Sequence, residues 1–200
     1  DYFRLDVNLK QLLKEWEEKD DVFKRMRKPS GVRVLRIDPW ECLLSFICSQ
    51  NNAIYRILKM VMALKRLFGA LLYTLEGFDG VVVELYSFPD IKAFINAPDL
   101  ELTLRANGFG YRAKYFGPVA TRVGDHGTLL SLRSQPYDQV VSYLQSLPGV
   151  GPKVADCVAL YSLDQLQAVP IDTHILKVAL SHYMTGLAGG KGMTPVVYKK

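Results

Sequence analysis

The sequence predicts an all-helical fold from three observations. Apolar residues recur at three- and four-residue steps along most of the chain, helix-capping residues punctuate those stretches, and strand signals are scarce. The 200 residues are 49% hydrophobic and 22% charged, enough apolar side chains for a packed core in one or two domains. That composition excludes a disordered or low-complexity protein.

From Val7 to Phe23, Leu9, Leu12, Leu13, Trp16 and Phe23 form an apolar stripe with charged residues between them, predicting a surface-packed helix broken near Asp20 and Asp21. Asp38-Pro39 then supplies an N-cap and a first-turn proline. The nearly all-apolar run Trp40, Leu43, Leu44, Phe46, Ile47 after it predicts a buried central helix. A second helix is expected from Ala53 to Phe68, stopped by Gly69. Val81-Val82-Val83 is a lone β-prone run, and Phe88-Pro89-Asp90 starts a further short helix. Helices follow at about 99–106, 111–125, 137–146, 152–162 and 173–183. There is no fixed-period repeat and no Pro/Ser-rich linker, so two helical lobes would have to be built from discontinuous helices around a cleft.

Lys plus Arg number 25 against 20 Asp plus Glu, a formal charge of +5, which suits a polyanionic partner. Cys42, Cys48 and Cys157 are widely spaced and odd in number, predicting neither a disulfide framework nor a metal cluster, and fitting a reducing compartment. The apolar runs Cys42 to Cys48 and Ile57 to Leu64 are too short or too interrupted to span about 30 Å of hydrocarbon, so no membrane partner is expected. No secretory signal is visible. The opening at Asp1 and the glycine-rich loop Gly186 to Gly192 close to Lys200 lead us to expect a piece of a longer protein.

The stretch that bears chemistry is Leu147-Pro148-Gly149-Val150-Gly151-Pro152-Lys153-Val154-Ala155-Asp156-Cys157. It reads as a helix end, a tight glycine turn and a second helix with proline in its first turn, a helix-hairpin-helix. Glycines let the backbone approach another object, and the free N–H groups at the second helix start favour an anion such as phosphate. A purely structural hairpin would have the same spacing. Lys153 sits where the helix dipole disfavours a cation, which lowers the cost of a neutral, nucleophilic amine. A phosphate-paired or solvated lysine is the alternative. Cys157 lies at i+4 on the same face, either to interact with that amine or as a small buried hydrophobe. In Val169-Pro170-Ile171-Asp172-Thr173-His174, Asp172 is an N-cap that stays ionised and can also face a reaction centre. Capping alone would account for it, and His174 alone reads as a packing residue.

These two motifs, together with Asp1 to Asp6, Asp38 to Asn52 and Gly108 to Tyr115, resemble the eukaryotic-type 8-oxoguanine DNA glycosylase family of the helix-hairpin-helix superfamily. The resemblance spans most of the chain. It implies the helix-hairpin-helix glycosylase fold and an enzyme that extrudes the damaged base, attacks the sugar C1′ with Lys153 and cleaves the strand by β-elimination through a Schiff base. It gives Asp172 the role of assisting base departure, and lines the base pocket with Phe46 and Cys157. Asn51 would fill the hole left by the base. Arg56 and Arg112 would contact the orphaned cytosine, with Tyr111 as a wedge, although Asn51-Asn52 also reads as a simple turn and Tyr111-Arg112 as a helix start. Gly149, Val150, Gly151 and His174 would grip phosphate.

The partner implied is double-stranded DNA with an oxidised base, bound by a monomer in the nucleus or the mitochondrion. No cofactor is needed for Schiff-base chemistry, though hairpin carbonyls could hold a monovalent cation. The lack of a C-terminal cysteine cluster argues against the iron–sulfur branch, and Lys153 argues against the alkylbase branch. The family's N-terminal β-rich domain and C-terminal base-sandwiching helix are not recognised in residues 1–200, which read as the helical core. The competing readings are a non-catalytic helix-hairpin-helix module that only holds DNA, and a glycosylase/lyase for other oxidised bases such as pyrimidines.

Overall fold

The computed structural model describes residues 1–26, 31–77 and 80–183, and the glycine-rich loop at 186–192 lies outside them. Helix α1 (Leu9–Lys19) is capped by Asn8, and Asp20 both ends it and caps α2 (Asp21–Arg25) by accepting from the Val22 and Phe23 N–H groups. The predicted break is therefore one carboxylate serving two helix ends. The chain then returns extended, with the Arg36 N–H donating to the Tyr2 carbonyl at 2.9 Å and the Ile37 N–H to the Tyr161 carbonyl at 2.8 Å.

Helix α3 (Pro39–Ser49) starts where expected: Asp38 accepts from the Trp40 and Glu41 N–H groups at 3.0 Å, and Pro39 opens the first turn. It is central, burying Trp40, Leu43, Leu44, Ile47 and two cysteines, whereas α4 (Ile54–Phe68) buries only Met60 and Leu64 and lies at the surface. After α4 comes a departure from the sequence expectation. Strands β1 (Leu71–Glu76) and β2 (Val82–Tyr86) pair antiparallel into a two-stranded ribbon, with Thr74 opposite Glu84. Val82 and Val83 lie in β2 as their β propensity suggests. β1 escapes sequence reading because it is exposed along its whole length and so carries no alternation of buried and exposed residues.

The rest is helical: α5 (Ile91–Ile95), α6 (Leu100–Ala106), a 3₁₀ turn at Gly110–Arg112, α7 (Ala113–Val123), α8 (His126–Ser131), a 3₁₀ turn at Leu132–Ser134, α9 (Tyr137–Ser146), α10 (Pro152–Ser162) and α11 (Thr173–His182). Of these, α8 was not expected, being only six residues launched by an Asp125 cap. α10 packs on α3 and α9, and α7 packs on α5 and α6. One apolar cluster running from Leu43 and Leu44 through Phe94, Phe109 and Phe116 to Val158 and Ala159 joins the two groups of helices.

The turn between α9 and α10 is anchored on both sides. Leu147 and Val150 are buried, and Gly149 adopts φ +78°, a conformation costly to residues with a Cβ. A Cβ at Gly149 would stand 2.5 Å from the Tyr115 ring, so two independent constraints require glycine there. Behind the turn, the Tyr137 hydroxyl donates to the buried Asp156 carboxylate at 2.6 Å, pinning α9 to α10. Burial and this carboxylate push the Tyr137 phenol up to about 12.

Asp164, just after α10, ties the N-terminal segment to this helix pair. It accepts from Arg4 at 2.7 Å and from Arg36 at 2.6 and 2.9 Å. The Arg36 hydrogen bond, helped by Arg4, holds its carboxyl below the ordinary carboxylate value. Because the folded value is depressed, the stabilisation is complete above about pH 4, the unfolded reference, and is lost as pH falls through the lower folded value.

Two outcomes follow for stability. Asp164→Asn keeps a side chain that tolerates the residue's φ of +60°. It should cost about 1–3 kcal/mol at pH 7 by urea unfolding, with the gap from the native chain closing towards pH 2. Gly149→Ala should cost roughly 2–5 kcal/mol from backbone strain and overpacking, while Gly151→Ala, with nothing within 4 Å of its Cβ, should cost no more than about 1 kcal/mol. Thermal unfolding of the two variants side by side checks the contrast.

Candidate active site

Lys153 occupies the first turn of α10, with Gly151 as N-cap and Pro152 ahead of it. No side chain caps this helix start, so its leading N–H groups keep their capacity for an acceptor. Lys153, Cys157 and Tyr161 follow at four-residue spacing on one face of α10, opposite Phe46 of α3. The Lys153 Nζ lies 5.1 Å from the Phe46 ring centroid, and Phe46 stacks on Tyr161 with centroids 5.8 Å apart and an interplanar angle of 13°. The structure thus brings together Lys153, Cys157 and Phe46, as the sequence led us to expect. It adds Tyr161, whose i+4 step from Cys157 was the available signal.

Cys157 is buried, which pushes its thiol up, while the charge of Lys153 and a hydrogen bond with it pull the other way. Cys42 and Cys48 are driven by burial to about 12, so both stay protonated thiols. Of the three, only Cys157 meets the amine.

Asp172 caps α11, accepting from the His174 N–H at 2.9 Å and the Ile175 N–H at 2.8 Å. The Ile175 N–H is the main cause of its lowered pKa, the His174 N–H adds to it, and the charges of His174 and Lys153 contribute further. An amine able to act as nucleophile once deprotonated therefore lies within electrostatic reach of a carboxylate that stays ionised through the neutral range. The His174 side chain is exposed at the outer start of α11.

A second group gathers around the α3–α4 loop. Asn51 is exposed at φ +41°, a left-handed conformation that asparagine tolerates, and Asn52 anchors the loop by donating to the Cys48 carbonyl at 3.0 Å. Arg56, on α4, is exposed. Arg112 differs from Arg56. It is buried, donates through Nε and Nη2 to the Gln50 carbonyl and through Nη2 to the Asn51 carbonyl at 3.1 Å, and lies 4.6 Å from the Tyr111 ring centroid. The two arginines expected to act as a pair differ in exposure: Arg56 faces solvent, and Arg112 is buried with hydrogen bonds to the loop. Tyr111 projects beside them, 44% exposed and edge-on to Tyr115.

The hairpin is tied to the α3–α4 loop. The Gly149 carbonyl accepts from Gln50 Nε2 at 2.6 Å and the Leu147 carbonyl from the Val150 N–H at 3.1 Å, so two of the turn's oxygens already have protein donors. Val150 points into the core and Gly151 is exposed. Among the described residues no group of three or more His, Cys, Asp or Glu is placed to hold a metal ion. Nor is any helix among them long and apolar enough to cross a membrane.

A family model for the 8-oxoguanine DNA glycosylase N-terminal domain matches residues 1–43. An N-glycosylase/DNA lyase of Arabidopsis thaliana is 40% identical over 204 residues, covering 99% of this chain and 53% of that protein. The N-glycosylase/DNA lyase of Saccharomyces cerevisiae is 40% identical over 194 residues, covering 91% of this chain and 50% of its own length. The chain thus spans about half the length of these curated relatives. Among solved structures, the Clostridium acetobutylicum 8-oxoguanine glycosylase/lyase, in complex with double-stranded DNA containing cytosine opposite 8-oxoguanine, superposes with a TM-score of 0.80 at 31% identity, over 96% of this chain and 63% of that one. By sequence and by fold, the chain is similar to 8-oxoguanine glycosylases and N-glycosylase/DNA lyases.

Proposed function

We propose that this chain is the helical catalytic core of a base-excision-repair glycosylase and AP lyase that removes 8-oxoguanine from duplex DNA. The observation that carries the reading is Lys153 in the uncapped first turn of α10, set against Phe46 and Cys157 and sharing its field with the ionised Asp172. A module that only held DNA would need the hairpin and neither of the two charged groups. The matching family model and a solved neighbour carry the lesion in their names, and the +5 charge fits a phosphate backbone.

In the reaction, the deprotonated Lys153 Nζ forms a bond to C1′ while the glycosidic C–N bond breaks and its electron pair leaves with the base, which takes up a proton. Asp172 stabilises the positive charge that builds on the sugar. The C1′–N adduct loses a proton and its ring opens to a Schiff base. Removal of a C2′ proton then expels the 3′ phosphate, breaking the C3′–O bond. All groups used belong to the chain, and no bound cofactor enters the chemistry. Gly149, Val150, Gly151 and His174 serve as the phosphate grip. Asn51 enters the vacated stack with Tyr111 beside it, which offsets the few kcal/mol of unstacking that base extrusion costs. Arg56 and Arg112 meet the opposite cytosine. The protein acts as a monomer in the nucleus, with the mitochondrion as a second compartment.

Borohydride trapping on an oligonucleotide with 8-oxoguanine opposite cytosine tests this reading. The full-length protein should give a covalent adduct that Lys153→Gln abolishes; undiminished trapping in that variant, or binding without any adduct, contradicts it. A panel carrying oxidised pyrimidines should react more slowly than 8-oxoguanine. Asp172→Asn retains a good N-cap without the charge, so it should melt like the native protein and lose about 10²–10³-fold in base release. Asp172→Ala should in addition lose about 1 kcal/mol of stability.

A further inference from the structure

The α3–α4 loop and the α9–α10 turn are far apart in sequence, yet one side chain joins them. Gln50 Nε2 donates to the Gly149 carbonyl at 2.6 Å across a separation of 99 residues. Gly149 is the least adjustable point of the turn, fixed by its positive φ and by the Tyr115 ring. Its carbonyl is consequently a rigid anchor, and Gln50 is fastened to the part of the hairpin that cannot yield.

The same residue is held from the opposite side by its main chain. Arg112 donates to the Gln50 and Asn51 carbonyls, and its guanidinium is buried against the Tyr111 ring. Asn52, next in the chain, is fixed to the Cys48 carbonyl and accepts from the Ala53 N–H at 3.1 Å. Every neighbour of Asn51 is therefore tied down, while among the described residues the Asn51 side chain holds no hydrogen bond and is exposed at a left-handed backbone position. A side chain displayed in this way, on a loop braced from two directions, is pre-organised to enter another molecule at little further ordering cost.

We propose that Gln50 is a positioning residue that couples the hairpin's hold on the DNA backbone to the insertion of Asn51 into the stack. This inference rests on the glycosylase reading above. When the hairpin seats on phosphate, the rigid Gly149 carbonyl and Gln50 fix the height of the Asn51 loop relative to that phosphate. Arg112 keeps the loop from tilting. Gln50 touches neither the base nor the sugar and acts only through the loop.

The role separates two steps that share Lys153. Base release from an intact lesion requires extrusion and so depends on Asn51, whereas strand cleavage at a pre-formed abasic site has no base to extrude. In the full-length protein, Gln50→Met keeps the length and bulk of the side chain without its donor. It should slow single-turnover release of 8-oxoguanine about 10- to 100-fold and change cleavage of the matching abasic duplex less than about twofold. Gln50→Glu, with the same reach but an acceptor facing the carbonyl, should show the same split, and a thermal midpoint for each variant shows that it is folded. In an Asn51→Ala background Gln50→Met should cause little further loss, since both substitutions remove one function. Native-like base release in both Gln50 variants, an equal fall in both steps, or effects of Gln50→Met and Asn51→Ala that multiply would each overturn the coupling. If the unsubstituted protein releases no base and traps no adduct, the glycosylase reading falls and the coupling falls with it.

Discussion

The packing of α10 against α3 is the contact on which the rest of the structure depends. Ala155, Val158 and Ala159 of α10 and Leu43, Leu44, Ile47 and Cys48 of α3 are all buried, and small residues on α10 let the two helices approach closely. That approach sets Phe46 under the Lys153 amine and Cys157 beside it. It also decides where the hairpin stands, because the turn leads directly into α10 and is braced by Tyr115 and Gln50. A shift of α10 along α3 would displace Lys153, the hairpin and the Asn51 loop together.

Polar contacts then fix what apolar packing leaves adjustable. Tyr137 with Asp156 locks the rotation of α9 against α10, and Asp164 with Arg4 and Arg36 fastens the N-terminal segment beyond the end of α10. Asp164 lies on the connection that leads from α10 to Asp172. The carboxylate expected to assist the chemistry is thus carried on a segment held by charge-assisted hydrogen bonds at one end and by its own cap of α11 at the other.

Most helices were legible in the sequence because their ends are written in side chains: Asp38-Pro39, Asp90, Gly151-Pro152 and Asp172 each mark a start that the structure reproduces, and Asp20 marks the expected break. The β1–β2 ribbon was only half legible, since a ribbon apolar and exposed on both faces has no inward periodicity to read. α8 was missed because six residues do not establish a period. At the site, the spacing of Lys153 and Cys157 on one helical face and the cap at Asp172 came directly from local sequence. The direction of Arg112 did not. A long charged side chain turns inward when main-chain carbonyls from a distant loop offer it acceptors, and those carbonyls are brought there only by the tertiary fold. Gln50 was silent for the same reason: its partner is a backbone oxygen remote in sequence, with no residue type to announce it.

In the proposed mechanism the amine of Lys153, and no other group, forms the bond to the sugar. Mass spectrometry of the borohydride-reduced complex, after proteolysis and nuclease digestion, locates that bond. A single sugar-modified peptide containing Lys153 is expected. Modification of another lysine such as Lys65 or Lys114, or of the N-terminal amine, with Lys153 recovered unmodified, would contradict it.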